Sequence, residues 1–418
     1  MKVLWVVNKP LPEVSEALGL KKELSQSWLQ DLARVVREAD ITLCSACVEK
    51  VDSLRTTHCC DGNHYVIPMA SKFSGASVYE KYWRQIMEAE KPDLIHLHGT
   101  EYAHTLPLLN CAGKIPTVLT IQGVMTRIAE HYAGSLRFGQ LLKYRTLKEN
   151  LRLGGMLATR AQYRKQARSE QEIIKRVDCV TGRTLWDYAI MKQINPDLKY
   201  YACTYNLRDG FYKADKWDLD QAQRHTVYTA FSSYPLKGLH ILLRALAIVK
   251  ERFPNVLLKV PGVKGDKDGR LIINSGYTKY LSHLISRLKL QDNVRFLGGQ
   301  SEADVITNMQ KAHLCVVSSA IEGASATVRE AMHIGTPCIC SFRGGMTELL
   351  EDRRSGFYYD YPEYPYLAER IMQIFENDQL AKQFSKNSIA SAEAMHDRQA
   401  NGEKWLQVYR DMMKICED

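Results

Sequence analysis

The sequence lacks several features, and each absence argues against a class of protein. No apolar run approaches the ~20 residues that a membrane-spanning helix needs, and the apolar residues 3–7 are too few for a signal peptide. The 11 cysteines are odd in number and several lie inside apolar runs, which predicts free thiols in a reducing compartment. A Walker loop and a Gly-x-Gly-x-x-Gly fingerprint are both missing, which weakens ATPase and dehydrogenase functions. We therefore expect a cytoplasmic protein.

One stretch combines cysteine and histidine closely enough to raise the question of zinc. Its candidate ligands are Cys44, Cys47, His58, Cys59, Cys60 and His64. The Cys-x-x-Cys at its start has no second Cys-x-x-Cys partner, and Cys44 lies in a strand-like run, so the spacing is a weak metal signal. We expect no metal and no cofactor, with zinc at this stretch left as an alternative.

The positive charge of the chain is concentrated in one region. The net charge is +9, and residues 137–176 alone hold eleven basic and three acidic residues. A mostly helical stretch of this kind suits an anionic membrane surface or a polyanionic ligand. A solvated helix face is the alternative.

Short apolar runs alternate with amphipathic helical patterns along the whole chain, which predicts βαβ units and parallel sheets. The predicted strands cover residues 3–7, 41–48, 65–67, 94–98, 117–121, 179–181 and 200–203 in the first half, and 226–231, 256–260, 294–297, 314–317 and 337–340 in the second.

The polar residues 206–224 show no clear period and are interpreted as a linker. The predicted domains are 1–208 and 225–395, and we expect a final helix at 396–418 to pack back on the first domain. The fold class is α/β, with two doubly wound Rossmann-like domains facing a central cleft. Such domains bind ligands at the carboxyl ends of their strands, where the strand order reverses.

The strongest motif lies between residues 318 and 345, directly after a predicted strand. Glu322 and Gly323 form a loop, a helix follows, and Gly335 ends that helix in the left-handed conformation that glycine adopts at little cost. Gly323 lets the backbone N–H groups of residues 323–326 approach an anion, and the positive end of the helix points to the same place. Glu330, about one turn into the helix, offers a carboxylate that accepts two hydrogen bonds from a ribose diol.

This segment closely resembles the motif of two glutamates separated by seven residues in the retaining family-4 glycosyltransferases of the GT-B fold. The resemblance implies that Glu330 binds the donor ribose. It implies that the donor sugar and diphosphate are held by Glu322 and by the amides of Gly323, Ala324, Ser325 and Ala326.

Other stretches of the second half agree with this family. Lys237-Gly238 resembles its Lys-Gly loop, which implies that Lys237 neutralises the diphosphate as its charge develops. The family's arginine before this lysine is absent, and Ser232 and Ser233 stand in that neighbourhood. Residues 294–298 resemble the base-binding loop, so Gly298 joins the predicted donor site. Ser233, in the neighbourhood of the missing arginine, is also predicted to bind the donor. We assign catalytic roles to Glu322 and Lys237.

In the first half, two strand ends resemble those of the family. One carries His98 and Gly99, and the other carries Gln122, where many members have histidine. An amide keeps a hydrogen-bonding tip but cannot act as a base, so we expect Gln122 to hold the donor sugar or the attacking hydroxyl. Asn8, in the loop after the first strand, is predicted together with His98 and Gly99 on the acceptor side.

The resemblance implies transfer of a sugar, with retention of configuration, from UDP- or GDP-sugar to a saccharide or lipid-linked acceptor in surface polysaccharide biosynthesis. Residues 137–176 would contact the inner face of the cytoplasmic membrane, and no nucleic acid is expected. Two alternatives are a nucleotide-sugar epimerase of GT-B architecture and a non-catalytic polyanion-binding protein. The loss of histidine at Gln122 counts against the epimerase, and the polyanion binder leaves Glu322, Glu330 and Lys237 unexplained.

Overall fold

A computed structural model describes residues 1–20, 27–71, 74–151, 154–229 and 233–414. The chain divides into two compact units. The first consists of Met1–Thr126, Lys165–Arg208 and His396–Asp418, and the second of Arg127–Arg164 and Asp209–Met395.

Fourteen strands lie within the described ranges, eight in the first unit and six in the second. They are β1 Lys2–Val6, β2 Thr42–Glu49, β3 Arg55–Cys59, β4 Gly62–Pro68, β5 Leu94–His98, β6 Thr117–Thr120, β7 Cys179–Gly182, β8 Lys199–Ala202, β9 Gln223–Thr229, β10 Leu257–Pro261, β11 Val294–Gly298, β12 Ala312–Val317, β13 Cys338–Ser341 and β14 Phe357–Tyr359.

Seventeen α-helices connect and cover these strands in the described part of the chain. They are α1 Pro12–Ala17, α2 Ser27–Glu38, α3 Glu80–Glu90, α4 Thr105–Cys111, α5 Met125–His131, α6 Phe138–Lys143, α7 Leu147–Leu151, α8 Met156–Ile174, α9 Leu185–Ile194, α10 Asp209–Lys213, α11 Leu239–Arg252, α12 Gly276–Arg287, α13 Glu302–Lys311, α14 Ala326–Ile334, α15 Tyr364–Glu376, α16 Asp378–Met395 and α17 Arg398–Lys414. Across the described ranges, none of these helices is long and apolar enough to cross a membrane.

The sheet of the first unit has the order β3-β4-β2-β1-β5-β6-β7-β8. All neighbouring strands are parallel except β3, which forms an antiparallel edge with β4. The chain builds outward from β1 in both directions, so the order reverses between β1 and β5. At such a switch point the loops after two neighbouring strands diverge and leave a crevice.

The sheet of the second unit has the order β11-β10-β9-β12-β13-β14 and is wholly parallel. This is the strand order of dinucleotide-binding folds, and it reverses between β9 and β12. Both faces of β12 and β13 are buried, as expected for parallel strands that helices cover on each side. The predicted doubly wound α/β class is confirmed for both units.

The predicted domain boundary differs from the units of the structure at two places. Residues 209–224, interpreted from the sequence as part of a linker, belong to the second unit and include α10. The predicted first domain, 1–208, includes Arg127–Arg164, which belongs to the second unit.

Ser135 explains the second difference, since its hydroxyl lies 3.1 Å from Nε2 of His240 and its backbone N–H donates to the hydroxyl of Tyr361 at 3.1 Å. These partners lie more than 100 residues away, and the local alternation of strands and helices carries no information about them.

The Cys/His stretch of the first unit is occupied by structural hydrogen bonds. His64 bonds the hydroxyl of Ser45 through Nδ1 at 2.8 Å and the carbonyl oxygen of Cys59 through Nε2 at 3.1 Å. The thiol of Cys44 donates to the carboxylate of Glu90 at 3.1 Å. Within the ranges that the structure describes, no three His, Cys, Asp or Glu side chains form a group that could hold a metal, and ten cysteines are free thiols as predicted.

A buried polar chain ties the last helix to the first sheet. Trp5 donates from Nε1 to the hydroxyl of Tyr409 at 2.9 Å, and that hydroxyl lies 2.7 Å from Nδ1 of His96. Nε2 of His96 lies 2.6 Å from the hydroxyl of Thr120. Burial lowers the pKa of His96 to about 3, so the ring is neutral. It therefore accepts from Tyr409 through one nitrogen and donates to Thr120 through the other.

We predict that Tyr409→Phe destabilises the first unit by about 1–3 kcal/mol, because it leaves the buried donor of Trp5 and the acceptor of His96 without a partner. The midpoint of urea unfolding should fall accordingly. Tyr188→Phe, at a tyrosine that is 38% exposed in the same unit, is the matched control. Equal midpoints for the two variants would contradict a contribution from the polar chain.

Candidate functional site

Two loops meet at the switch point of the second sheet. Gly238, with φ of 68°, follows β9 and lies so close to the loop after β12 that a Cβ there would overlap the carbonyl oxygen of Ser318. The backbone N–H of Ala320 donates to the carbonyl oxygen of Leu236 at 2.7 Å. The hydroxyl of Ser318 donates to the backbone carbonyl oxygen of Lys237 at 3.2 Å. Only glycine allows both the left-handed backbone and this approach.

The two predicted catalytic residues, Lys237 and Glu322, form an ion pair at this junction. Their side chains are 18% and 17% exposed, and Ser319 donates a hydrogen bond to Oε1 of Glu322 at 2.9 Å. Burial disfavours the charged amine, but the carboxylate of Glu322 and the hydroxyl of Tyr234 outweigh it and raise the pKa of Lys237. Lys237 is therefore a fixed cation whose counter-charge is supplied by the protein.

The N-terminus of α14 follows Glu322 directly. Ser325 caps this helix with its backbone only, since its side chain makes no capping hydrogen bond. The first four N–H groups of a helix have no partner within the helix and carry partial positive charge. Gly323 is half-buried, Ala324 and Ser325 are buried and Ala326 is exposed. The N-terminal end of α14 thus begins directly after the loop that carries Glu322.

The glycine pair at the end of the motif fixes the backbone of Glu322. The N–H of Gly345 donates to the carbonyl oxygen of Glu322 at 2.9 Å. Gly344 has a φ of 64°, and a Cβ there would overlap the same oxygen. The glycines therefore hold the loop that presents the carboxylate of Glu322 to Lys237.

Three further residues predicted at the donor site, Glu330, Ser233 and Gly298, belong to the second unit. Glu330 is half-buried in the second turn of α14, and Ser233 is half-buried before Lys237. Gly298 ends β11 with a φ of 69° and open space where a side chain would be. Because two strand spacings separate β11 from β9, Gly298 lies about 10 Å across the sheet from the Lys237 loop. Ser232 lies outside the described residues.

Two tyrosines that the motif did not reveal adjoin Lys237. The ring of Tyr234 lies 5.9 Å from Nζ of Lys237. Tyr132 stacks nearly parallel to Tyr234, with ring centroids 6.4 Å apart and an interplanar angle of 7°. Tyr132 belongs to the segment Arg127–Arg164, so this segment forms part of the surroundings of the donor loop. Its sequence separation from Lys237 hid this contact from motif analysis.

In the first unit, three residues predicted at the acceptor or donor side lie at or just after the carboxyl ends of neighbouring strands. Asn8 follows β1, His98 ends β5 and Gln122 follows β6, and these three strands are adjacent in the sheet. The side chain of Gln122 donates to the carbonyl oxygen of His98 at 3.1 Å. The structure therefore places Asn8, His98 and Gln122 together at the carboxyl ends of the strands of the first sheet.

His98 contacts Gln122 through its backbone carbonyl oxygen, and its side chain lies in the core. Its side chain is 1% exposed, with its ring centroid 4.6 Å from that of Trp5 and 3.9 Å from that of His96. Burial, assisted by His96, holds the pKa of His98 well below its ordinary value. The imidazole is thus a neutral core side chain, which corrects the expectation that it would face an acceptor.

Glu101 is the residue of this edge that sequence analysis missed. Its Oε2 accepts a hydrogen bond from Nδ2 of Asn8 at 3.1 Å. Gly99, with φ of 103°, leaves the space that this carboxylate fills, because a Cβ there would overlap Oε2. Burial raises the pKa of Glu101 above its ordinary value of 4.5, and the nearby carboxylate of Glu170 adds to the effect. Glu101 lies three residues after the buried strand β5, and this position in the sequence could have marked it as a candidate site residue.

Comparison with known proteins bears on the second unit most directly. Residues 221–391 match the family model described as glycosyl transferases group 1. Spore coat protein SA of Bacillus subtilis (strain 168) is 31% identical over 176 residues, which are 42% of this chain and 45% of that protein. The matches to the next curated relatives cover 42% and 40% of their lengths. The chain thus spans less than half the length of these curated relatives.

Residues 221–391 thus resemble the glycosyl transferases group 1 family.

Solved structures extend the likeness to the fold of both units. Sucrose-phosphate synthase from Thermosynechococcus elongatus matches with a TM-score of 0.74 and 15% identity, over 99% of each chain. HepE of Anabaena, solved in complex with UDP and glucose, matches with a TM-score of 0.69 and 19% identity, over 98% of this chain and 99% of that one. At these identities the likeness shows the fold, which is the GT-B fold.

The matched residues 221–391 contain Lys237, Gly298, Glu322 and Glu330. Asn8, Gly99, Glu101 and Tyr132 lie outside this range. The ion pair and the N-terminus of α14 therefore belong to the part of the chain that matches the family model.

We predict that Glu101→Gln stabilises the first unit increasingly as the pH rises above 4.5, the ordinary pKa of the group. The folded protein holds this proton more tightly than the unfolded chain, so stability present at low pH is lost as the pH rises through the folded pKa. Glutamine keeps an acceptor for Asn8 and does not ionise. Urea unfolding of both proteins at a series of pH values measures the difference.

Glu88→Gln makes the same change at an exposed residue of α3 in the same unit and is the matched control. A stability difference for Glu101→Gln that is flat with pH would contradict a desolvated carboxyl at this edge.

Proposed function

We propose that this chain is a retaining glycosyltransferase that moves a sugar from a nucleotide-diphosphate sugar, UDP- or GDP-linked, to a saccharide or lipid-linked acceptor in surface polysaccharide biosynthesis. The observation that carries this proposal is the Lys237–Glu322 pair, which lies at the switch point of the second sheet beside the N-terminus of α14. That HepE of Anabaena has been solved with UDP-glucose supports the class of donor.

The donor diphosphate binds between Lys237 and the first amides of α14 in this proposal. Its oxygens compete with Glu322 for the ammonium group and complete the hydrogen bonds of the amides of residues 323–326. Glu330 accepts two hydrogen bonds from the ribose diol, and the base lies toward Gly298. The carboxylate of Glu322, once released from Lys237, is free to bind the donor sugar.

The reaction breaks the bond between the sugar C1 and the β-phosphate oxygen and forms a bond from C1 to the acceptor oxygen on the same face of the sugar. The acceptor proton passes to the β-phosphate. Lys237 and the helix N-terminus stabilise the charge that develops on the leaving diphosphate, so no metal is required. Gln122 orients a hydroxyl and takes no proton. Since serine replaces the arginine of the family, Lys237 carries a larger share of this stabilisation.

The acceptor side would be built from the first unit. Asn8 and Glu101 present an amide and a carboxylate at the edge of the first sheet, and such groups suit sugar hydroxyls. A lipid-linked acceptor would place the reaction at the inner face of the cytoplasmic membrane. The eleven basic residues of 137–176 support contact with an anionic surface.

We predict that Glu330→Ala weakens binding of the preferred nucleoside diphosphate by roughly tenfold to a hundredfold, because a charged hydrogen bond to the ribose contributes about 1.5–3 kcal/mol. Thermal shifts with UDP, GDP and their sugars measure this. Glu363→Ala, an exposed glutamate of the same unit, is the matched control. Unchanged nucleotide binding in Glu330→Ala would remove this residue from the donor site.

We predict that Lys237→Ala lowers kcat by about 10²–10³, since it removes charge stabilisation that matters most in the transition state. Turnover of the preferred donor at saturation gives kcat. Lys311→Ala removes an exposed lysine of the same unit and should leave kcat unchanged. A normal kcat in Lys237→Ala would contradict the proposed mechanism.

A further inference from the structure

Two short helices of the basic region expose their large apolar side chains. On α6, Phe138 is 63% and Leu142 is 43% exposed, and on α7, Leu147 is 75% and Leu151 is 78% exposed. Each pair is spaced four residues apart, so its members lie on the same face of their helix. Single exposed leucines are common, but four within fourteen residues form an apolar surface that needs a partner.

The helices are held firmly from their other side. Leu141 is 1% and Tyr144 is 9% exposed, and the ring of Tyr144 lies 5.1 Å from that of Tyr280 on α12. Glu149 accepts hydrogen bonds from the N–H of Gly276 and from the N–H of Thr146, both at 2.8 Å. The apolar pairs are therefore presented outward by helices that are anchored within the second unit.

Cations surround these apolar pairs. Arg137, Lys143 and Lys148 are all exposed. The only acidic residue of the described stretch 137–151 is Glu149, and its two carboxylate oxygens are turned to backbone N–H groups. An exposed apolar face with a rim of lysine and arginine is typical of helices that lie in the interface of an anionic membrane.

We propose that α6 and α7 form an interfacial anchor, which inserts Phe138, Leu142, Leu147 and Leu151 into the acyl boundary of an anionic bilayer. The charges favour lipid over a second copy of this chain, because a two-fold contact at this face would bring together two surfaces that each carry Arg137, Lys143 and Lys148. The anchor goes beyond the electrostatic role proposed for residues 137–176, since it rests on insertion. It is independent of the sugar-transfer reaction.

Flotation of the full-length chain with vesicles of phosphatidylcholine and phosphatidylglycerol tests the anchor without any substrate. Leu147→Ser/Leu151→Ser should weaken partitioning by roughly tenfold or more, because two apolar side chains lose their burial in lipid. Ile273→Ser, at an apolar residue that is 50% exposed in the same unit, is the matched control and should partition as the wild type. Vesicles of phosphatidylcholine alone should bind the wild type more weakly.

Direct evidence for insertion comes from Leu147→Trp, whose added fluorescence should be quenched by brominated acyl chains. Ile273→Trp should gain no quenching. Unchanged partitioning of the double serine variant, or an unquenched tryptophan at position 147, would overturn insertion. Loss of self-association in the double variant, without loss of lipid binding, would identify a second copy as the occupant and would likewise overturn the proposal. Binding of UDP or GDP to the same variants reports separately on the donor site.

Discussion

The close approach of Gly238 to the carbonyl oxygen of Ser318 is the constraint on which the donor site depends. Parallel strands β9 and β12 end side by side, and their loops would diverge if a side chain stood at this position. Because glycine lets the backbones touch, Lys237 on one loop reaches Glu322 on the other. The glycine pair at residues 344 and 345 restrains the second loop from its other side.

This geometry places opposite charges in a half-buried position before any donor arrives. Glu322 keeps Lys237 charged, and a diphosphate offers the same lysine a stronger counter-charge. In the proposed function, this exchange links donor binding to release of the Glu322 carboxylate, which then takes its proposed role at the donor sugar. Glu101 in the first unit is a related case, because burial raises the pKa of its carboxyl and so disfavours the charged form.

Local sequence patterns predicted the features that depend on local structure. The alternation of strands and helices predicted all of the described strands except β3 and β14. The spacing of Glu322, Gly335 and the glycine pair predicted a loop followed by a helix, which the structure confirms. Long-range contacts were not predictable in this way. The stacking of Tyr132 on Tyr234, the regrouping of Arg127–Arg164 and the burial of the His98 ring all depend on partners distant in sequence.

The same limit applies to the basic region. Apolar residues four apart on a helix usually mark a buried face. In α6 the structure buries Leu141 and the following Tyr144 instead, and in α7 it buries no residue. Charge counting identified the region, but only the structure shows that its apolar side chains point outward. The proposed membrane contact and the proposed sugar transfer therefore rest on different residues and can be tested separately.

The most direct test of the central claim is amide hydrogen exchange with and without UDP and GDP. If the second unit binds the donor as proposed, one of these nucleotides slows exchange in peptides covering residues 234–243 and 318–331, where the Lys237 loop and the N-terminus of α14 lie. Protection confined to residues 137–176, or no protection by either nucleotide, would contradict the assignment of the donor site.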